Sequence, residues 1–220
     1  TWQKVTVRLL YVKRLERASM VRPKQYDRID LLDRAVEVFR LQGYSGTSTA
    51  ELVTELGVNR KTMYAEFGSK QGLFDAVLER YNQAHLSRVL APIEAADAGP
   101  DAIRGAFAGY ASASEGWFRG RGCLICNTAV ERASLDPASG EFAAAYLSRI
   151  NRAFRHALEN GRRVGGLDET ADVEEMAAFL TTLLIGVAAS IRAEAPPEQL
   201  HATSRAVSSF LDEHQPPSRR

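Results

Sequence analysis

The chain has 220 residues, 45% apolar and 25% charged, an ordinary globular balance with length for one or two domains and a real core. Its formal net charge of +1 makes no global case for nucleic acid, so the local distribution of charge has to decide. Two cysteines, Cys123 and Cys126, exclude a disulfide framework, and the longest apolar stretch, Ala177–Ala189, is too short and too threonine-interrupted to span a bilayer.

Residues 1–75 carry 13 Lys and Arg against 9 Asp and Glu, whereas residues 76–220 carry 15 against 18. The positive excess is N-terminal. Residues 1–22 form a basic extension, with five Lys and Arg against one Glu in the first 19 positions. It reads as upstream sequence with Met20 as a possible start, or as a basic arm that adds phosphate affinity. The apolar run Val5–Val12 is broken by Arg8, so no secretory signal is read and the cytoplasm is the default location.

Next comes a succession of helices without strand alternation or internal repeat. Ile29, Leu32, Val36 and Phe39 recur at helical spacing until Gly43. Ser48 and Glu51 spell a capping box ahead of Leu52, Val53 and Leu56, and Gly57 suits a left-handed stop. Asn59 caps a third helix over 60–67, and Ser69 a long fourth one to about residue 90. Pro100 opens a fifth that reaches about Phe118. Others are expected over 123–134, 140–160, 171–195 and 198–213. The fold class is all-α, about nine helices: a small N-terminal unit (23–75), a larger helical body (76–214) and a tail (215–220).

Helix, glycine-containing turn, helix is the helix-turn-helix arrangement, whose second helix enters the major groove with its N-terminus leading. Arg60 and Lys61 sit there, with long cations able to reach guanine O6/N7 or a phosphate. Thr62 can meet a phosphate or a thymine methyl, and the Tyr64 phenol suits a phosphate oxygen. Lys70 and the amides after Ser69 make an anion site, as do Thr47 and Ser48 at the second helix. The plain alternative is an αα-hairpin with a solvated polar face.

The stretch "GYSGTSTAELVTELGVNRKTMYAEFGSKQGLF", residues 43–74, resembles the DNA-binding domain of TetR/AcrR-type repressors. The resemblance extends through the first helix and is in register at many positions. It implies a homodimeric repressor of a near-palindromic operator, released by a small ligand. It implies phosphate contacts at Tyr64 and Lys70, and base reading at the start of the third helix. Asn59, Lys61 and Ala65 depart from the commoner Ser, small residue and His, which puts the operator sequence in question.

In the body, Met176, Leu180, Leu184, Val187 and Ile191 form an apolar stripe on the eighth helix, and Val207 and Leu211 a similar face on the ninth. These residues are either an intramolecular core or, as the resemblance implies, a four-helix dimer bundle. Tyr81, His85, Phe107, Tyr110, Trp117, Asn127, His156 and Phe179 are candidate pocket residues, which points to a hydrophobic or aromatic inducer. "GRGCLICNTAVE", 120–131, resembles a Gly-Cys-Leu…Asn-Thr-Ala…Glu signature in the ligand domain of one branch of the family.

Cys123 and Cys126 read either as buried structural residues or as sensor thiols. Cys123 is the better sensor because it lies nearer a helix N-terminus, and it also counts among the ligand-domain candidates. The four histidines show no paired spacing, so neither a metal nor another cofactor is expected. The expected partners are double-stranded operator DNA, a small-molecule inducer and a second copy of the chain. The competing class, a helical enzyme, lacks a Ser-His-Asp order, a phosphate loop or a metal-ligand cluster, so no catalytic residues are assigned.

Overall fold

The computed structural model describes residues 26–116 and 118–216, except for the side chains of His85 and Arg88. The basic extension with Met20, and Trp117, lie outside the described residues. Ten α-helices and no strand are present among those described.

The first three helices and the start of the fourth make the N-terminal unit. Helix α1 (Arg28–Gly46) is capped by Asp27 and breaks at Gly43, where φ is +77° and ψ 174°. Helix α2 (Thr49–Leu56) carries the expected capping box at Ser48 and Glu51 and ends on left-handed Gly57. Helix α3 (Arg60–Phe67) is capped by Asn59, whose side chain accepts from the Thr62 amide at 2.8 Å. Helix α4 (Lys70–Tyr81) is capped by Ser69. Leu32, Val36, Phe39, Leu52, Leu56, Met63, Leu73 and Phe74 are buried and tie these four helices together.

The expected long fourth helix divides. A π-helical turn at Asn82–Leu86 follows α4 and leads into α5 (Ser87–Glu94), which accommodates Pro92. This division raises the expected nine helices to ten. Helix α6 (Pro100–Ala113) ends before the expected Phe118, as the Ser114 hydroxyl folds back on the Ala111 carbonyl. Helix α7 (Leu124–Arg132) has Cys123 at its N-cap position. Helix α8 (Pro137–Arg163) begins earlier than Gly140, because Asp136 caps it and Pro137 preorganises its first turn. Helices α9 (Val173–Arg192) and α10 (Pro197–Glu213) complete the body.

Helix α8 packs on α9 and α7, while α10 packs on α6. One apolar cluster runs without interruption from Leu31 to Leu211, so the N-terminal unit and the body share a core. The boundary expected at residue 75 falls inside α4, which belongs to both. At 20 residues α9 has the length and apolarity of a membrane span, more than the 177–189 run suggests; here one side of it is core.

Met176, Leu180, Leu184, Val187, Ile191, Val207 and Leu211 all lie in that core, none more than 5% exposed. The expectation that they form a face for a second subunit is corrected: the most apolar stripe of each helix is consumed by its own subunit. The side of α9 left in solvent carries Phe179, Thr182, Gly186, Ala189 and Ala193.

Candidate nucleic-acid interface

Helix α3 buries only Met63. At 100° per residue, fixing Met63 inward puts Lys61 and Ala65 on the opposite side and Arg60 and Tyr64 together on one flank, and all four are exposed. The Arg60 guanidinium stands 5.9 Å from the Tyr64 ring centre, one turn apart on the same face. Hydrogen bonding from the Thr49 side chain, and then from Arg60, lowers the Tyr64 pKa, which marks a phenol oxygen already facing donors. Thr62 is half-buried beside the Asn59 cap. The helix is braced from behind: the Tyr26 hydroxyl donates to Glu66 at 2.8 Å, and the Arg28 guanidinium to the same carboxylate at 3.1 Å.

Ser48 is exposed at the start of α2, its hydroxyl accepting from the Glu51 amide at 3.1 Å, with Glu51 returning a bond to the Ser48 amide. Two expected phosphate contacts point elsewhere. Thr47 is 1% exposed, and its hydroxyl donates to the Gly43 carbonyl at 2.6 Å. Lys70 donates to the Tyr44 carbonyl at 2.5 Å and lies 4.1 Å from the Tyr44 ring centre. Burial, then the charge of Arg132, holds the Lys70 pKa below the ordinary lysine value. Its ammonium is thus committed to the junction between unit and body. Sequence spacing places it at a helix start but cannot show which way a long side chain turns.

That junction was not foreseen from the sequence. Glu131, at the end of α7, accepts from the Tyr44 amide at 3.0 Å and the Ser45 amide at 2.6 Å. Arg132 stacks 3.7 Å from the centre of the Tyr44 ring. At the other end of α7, the fully buried Arg40 of α1 donates to the Gly122 carbonyl at 2.8 and 3.2 Å and lies 4.4 Å from the Phe118 ring centre. Gly122 has φ +61°, and a Cβ there would come within 2.8 Å of the Ala188 carbonyl, so this approach needs glycine. Gly122 and Glu131 of "GRGCLICNTAVE" thus strap the two ends of α7 to α1.

The candidate pocket residues scatter. Tyr81 and Phe107 are buried core, and His156 contacts Asn160. Phe179 is 46% exposed and packs on Phe210 at 4.9 Å, so it is corrected from pocket wall to outer face. Of His85 only the backbone is described, in the π-helical turn. Tyr110 does line a cavity of about 570 Å³ between α5 and α6, with Val89, Pro92, Ala102, Ala106 and Phe118. The helical spacing of Ala102, Gly105, Ala106 and Gly109 on α6 is an unread signal in the sequence for this wall: small side chains on one face leave room instead of filling it. Cys126 and Asn127 line a smaller cavity of about 250 Å³ between α7 and α9, and Asn127 donates to the Arg121 carbonyl. No cluster of three or more metal-ligating side chains occurs among the described residues.

A braced helix presenting cations and a phenol, at the far end of an all-helical body, defines a helix-turn-helix DNA-binding protein. Residues 31–77 match the family described as "Bacterial regulatory proteins, tetR family", and 99–207 match "Tetracyclin repressor-like, C-terminal domain". The chain is 33% identical over 189 residues to the HTH-type transcriptional repressor ComR of Escherichia coli, covering 83% of this chain and 87% of ComR. It is 32% identical over 162 residues to the HTH-type transcriptional regulator YezE of Bacillus subtilis, covering 73% and 84%. Among solved structures, a cysteine mutant of the TetR family regulator CifR complexed with 26-bp double-strand operator DNA matches with a TM-score of 0.74 and 28% identity, over 86% of this chain and all of that one. The chain belongs to the TetR family and is a DNA-binding transcriptional regulator.

Proposed function

We propose that the protein is a cytoplasmic, homodimeric repressor that binds a near-palindromic operator and leaves it when a small apolar or aromatic molecule occupies the body. The carrying observation is α3, with Met63 as its single buried residue and Arg60, Lys61 and Tyr64 presented outward. In this reading residues 23–75 bind DNA and 76–214 hold the inducer and the partner. Arg60 and Lys61 face base edges, Thr62 and Tyr64 meet the backbone, and Ser48 with the α2 amides meets a phosphate across the groove. Thr47 and Lys70 serve as internal ties.

The second subunit would dock on the exposed side of α9, where Thr182, Gly186 and Ala189 are small enough for close helix approach, with Phe179 and Phe210 at one end. The inducer would occupy the cavity between α5 and α6, whose walls are mostly apolar and include Tyr110 and Phe118. Occupancy there bears on α5, and through the π-helical turn on α4, which carries part of the DNA-binding unit.

A selection of bound duplexes from random-sequence DNA tests this function. The expected result is a two-fold symmetric consensus with half-sites one helical turn or its multiples apart, and binding that weakens steeply with salt. A consensus without internal symmetry, or no enrichment, would overturn it.

A second reading, release by thiol chemistry, is favoured by the environment of Cys123. Hydrogen bonding from Cys126 outweighs burial, and with the Cys126 amide, the Tyr146 hydroxyl and the Ile125 amide brings its pKa to about 6. The expected assignment of sensor chemistry to Cys123 alone is altered by its burial, at 1% exposure.

A further inference from the structure

Cys123 and Cys126 occupy the N-cap and third positions of α7, so their side chains face each other across the first helical turn. Their mutual influence favours Cys123 as the anion and Cys126 as the proton holder. The Tyr146 hydroxyl lies 3.8 Å from the Cys123 sulfur, and Tyr81 and Tyr110 are buried around the pair. Both thiols are free. They differ in access: Cys126 lines the cavity of about 250 Å³ that it shares with Gly43, Asn127, Val130, Ile185 and Arg192, whereas Cys123 lies behind it. Gly43 in that wall is the break in α1, and its neighbours Tyr44 and Ser45 are the residues held by Glu131.

We propose that Cys123 and Cys126 close an intramolecular disulfide when a hydroperoxide enters this cavity, and that closure loosens the two straps between α7 and α1. The inference rests on the thiol reading above and deepens it: the responsive group is the pair, with Cys126 as the sulfur the oxidant meets. The Cys126 sulfur attacks the peroxide while the neighbouring Cys123 thiolate, acting as base, takes its proton. A sulfur–oxygen bond forms, the oxygen–oxygen bond breaks, and the departing alkoxide takes a proton from solvent. Cys126 is then a sulfenic acid. The Cys123 sulfur attacks it, forming the sulfur–sulfur bond and expelling hydroxide, which takes the Cys123 proton and leaves as water. Two thiols are oxidised by two electrons, and the hydroperoxide is reduced to an alcohol and water.

The consequence follows from position. The Gly122 carbonyl that receives Arg40 belongs to the peptide bond preceding Cys123, so drawing the two sulfurs into a bond alters the segment that Arg40 grips. It also removes the thiolate favoured at Cys123, beside Tyr81 and Tyr110, whose own surroundings include the Arg40 cation. At its far end α7 carries Glu131, which holds the Tyr44 and Ser45 amides just before the capping box of α2. A shift of α7 therefore moves the corner from which α2 and α3 spring.

The test treats the reduced full-length chain with tert-butyl hydroperoxide, alongside Cys126→Ser and Cys123→Ser. Intact mass and thiol titration are read in one arm, and affinity for a duplex selected by the reduced protein in the other. Wild type should lose two thiols and two hydrogens of mass, without dimeric disulfide. Its DNA affinity should fall roughly 5–150-fold and recover with dithiothreitol. Both variants should keep their affinity under the same treatment, and Cys126→Ala serves if a serine variant misfolds. An oxidised wild type with no internal disulfide, full release in a single-cysteine variant, or a disulfide that leaves DNA affinity unchanged would each overturn the proposal. Failure of the reduced protein to select any duplex would instead defeat the repressor reading and, with it, the second half of this inference; the mass arm would still report on the disulfide.

Discussion

At the scale of single residues, the exposed face of α3 divides its labour by chemistry. Arg60 has a planar, five-donor group on a long stem, suited to the paired acceptors of a guanine, whereas Tyr64 offers one oxygen. Arg60→Ala should therefore relax sequence preference at one base pair per half-site, at a cost of about 1–3 kcal/mol in discrimination. Competition among operator variants measures it, and an unchanged ranking would assign Arg60 to the backbone. Tyr64→Phe should weaken all duplexes by a similar factor; loss confined to one base pair would remove it from the phosphate role.

Glu131 behaves differently from these surface groups. Burial pushes its pKa up, but the Ser45 amide and hydroxyl, the Tyr44 amide and Arg132 together outweigh burial and leave the pKa below the ordinary glutamate value. A carboxylate with a depressed folded pKa adds stability that is present above its unfolded pKa and lost as pH falls through the folded one. The melting temperature of wild type should therefore fall more steeply than that of Glu131→Gln as pH is lowered from about 5 to about 3. Equal slopes would show that the carboxylate charge contributes nothing to the strap.

At the scale of elements, caps and breaks set where each helix starts and therefore what it can present. Ser48 and Glu51 satisfy each other's backbone amides at the start of α2, and the eight-residue helix has few other ties. Ser48→Ala should cost about 1 kcal/mol of stability, seen as a lower denaturant midpoint with an unchanged slope. Loss of cooperativity instead would mean that α2 unfolds apart from the rest. These caps were legible in the sequence because a cap is a local pattern of side chain and nearby amide. The π-helical turn after Tyr81 was not, since it answers to what α4 and α5 pack against.

At the scale of the whole molecule, the face proposed to receive a second subunit is what the body's own core leaves over. The exposed side of α9 is small and weakly apolar, and Thr182 stands in it. Thr182→Arg should leave the subunit folded, because the position is already in solvent, yet convert the proposed dimer to monomer by putting a large charge on both sides of an isologous contact. Sedimentation should show half the mass, and binding to a two-half-site duplex should weaken far more than binding to a half-site. A dimer of unchanged stability would place the interface elsewhere.

By itself the sequence determined the all-helical class, the capping box and turn of the DNA-binding unit, and the family. Each depends on residues close together in the chain, where periodicity, caps and glycine positions act locally. Only the tertiary structure decided that Lys70 and Thr47 turn inward, that the Met176–Ile191 stripe is core and not interface, and that Glu131 and Arg40 strap α7 to α1. The reason is physical. Whether a side chain is spent inside or offered outside depends on partners far along the chain, 82 positions away for Arg40 and Gly122 and 87 for Tyr44 and Glu131. Local pattern carries no record of those pairings.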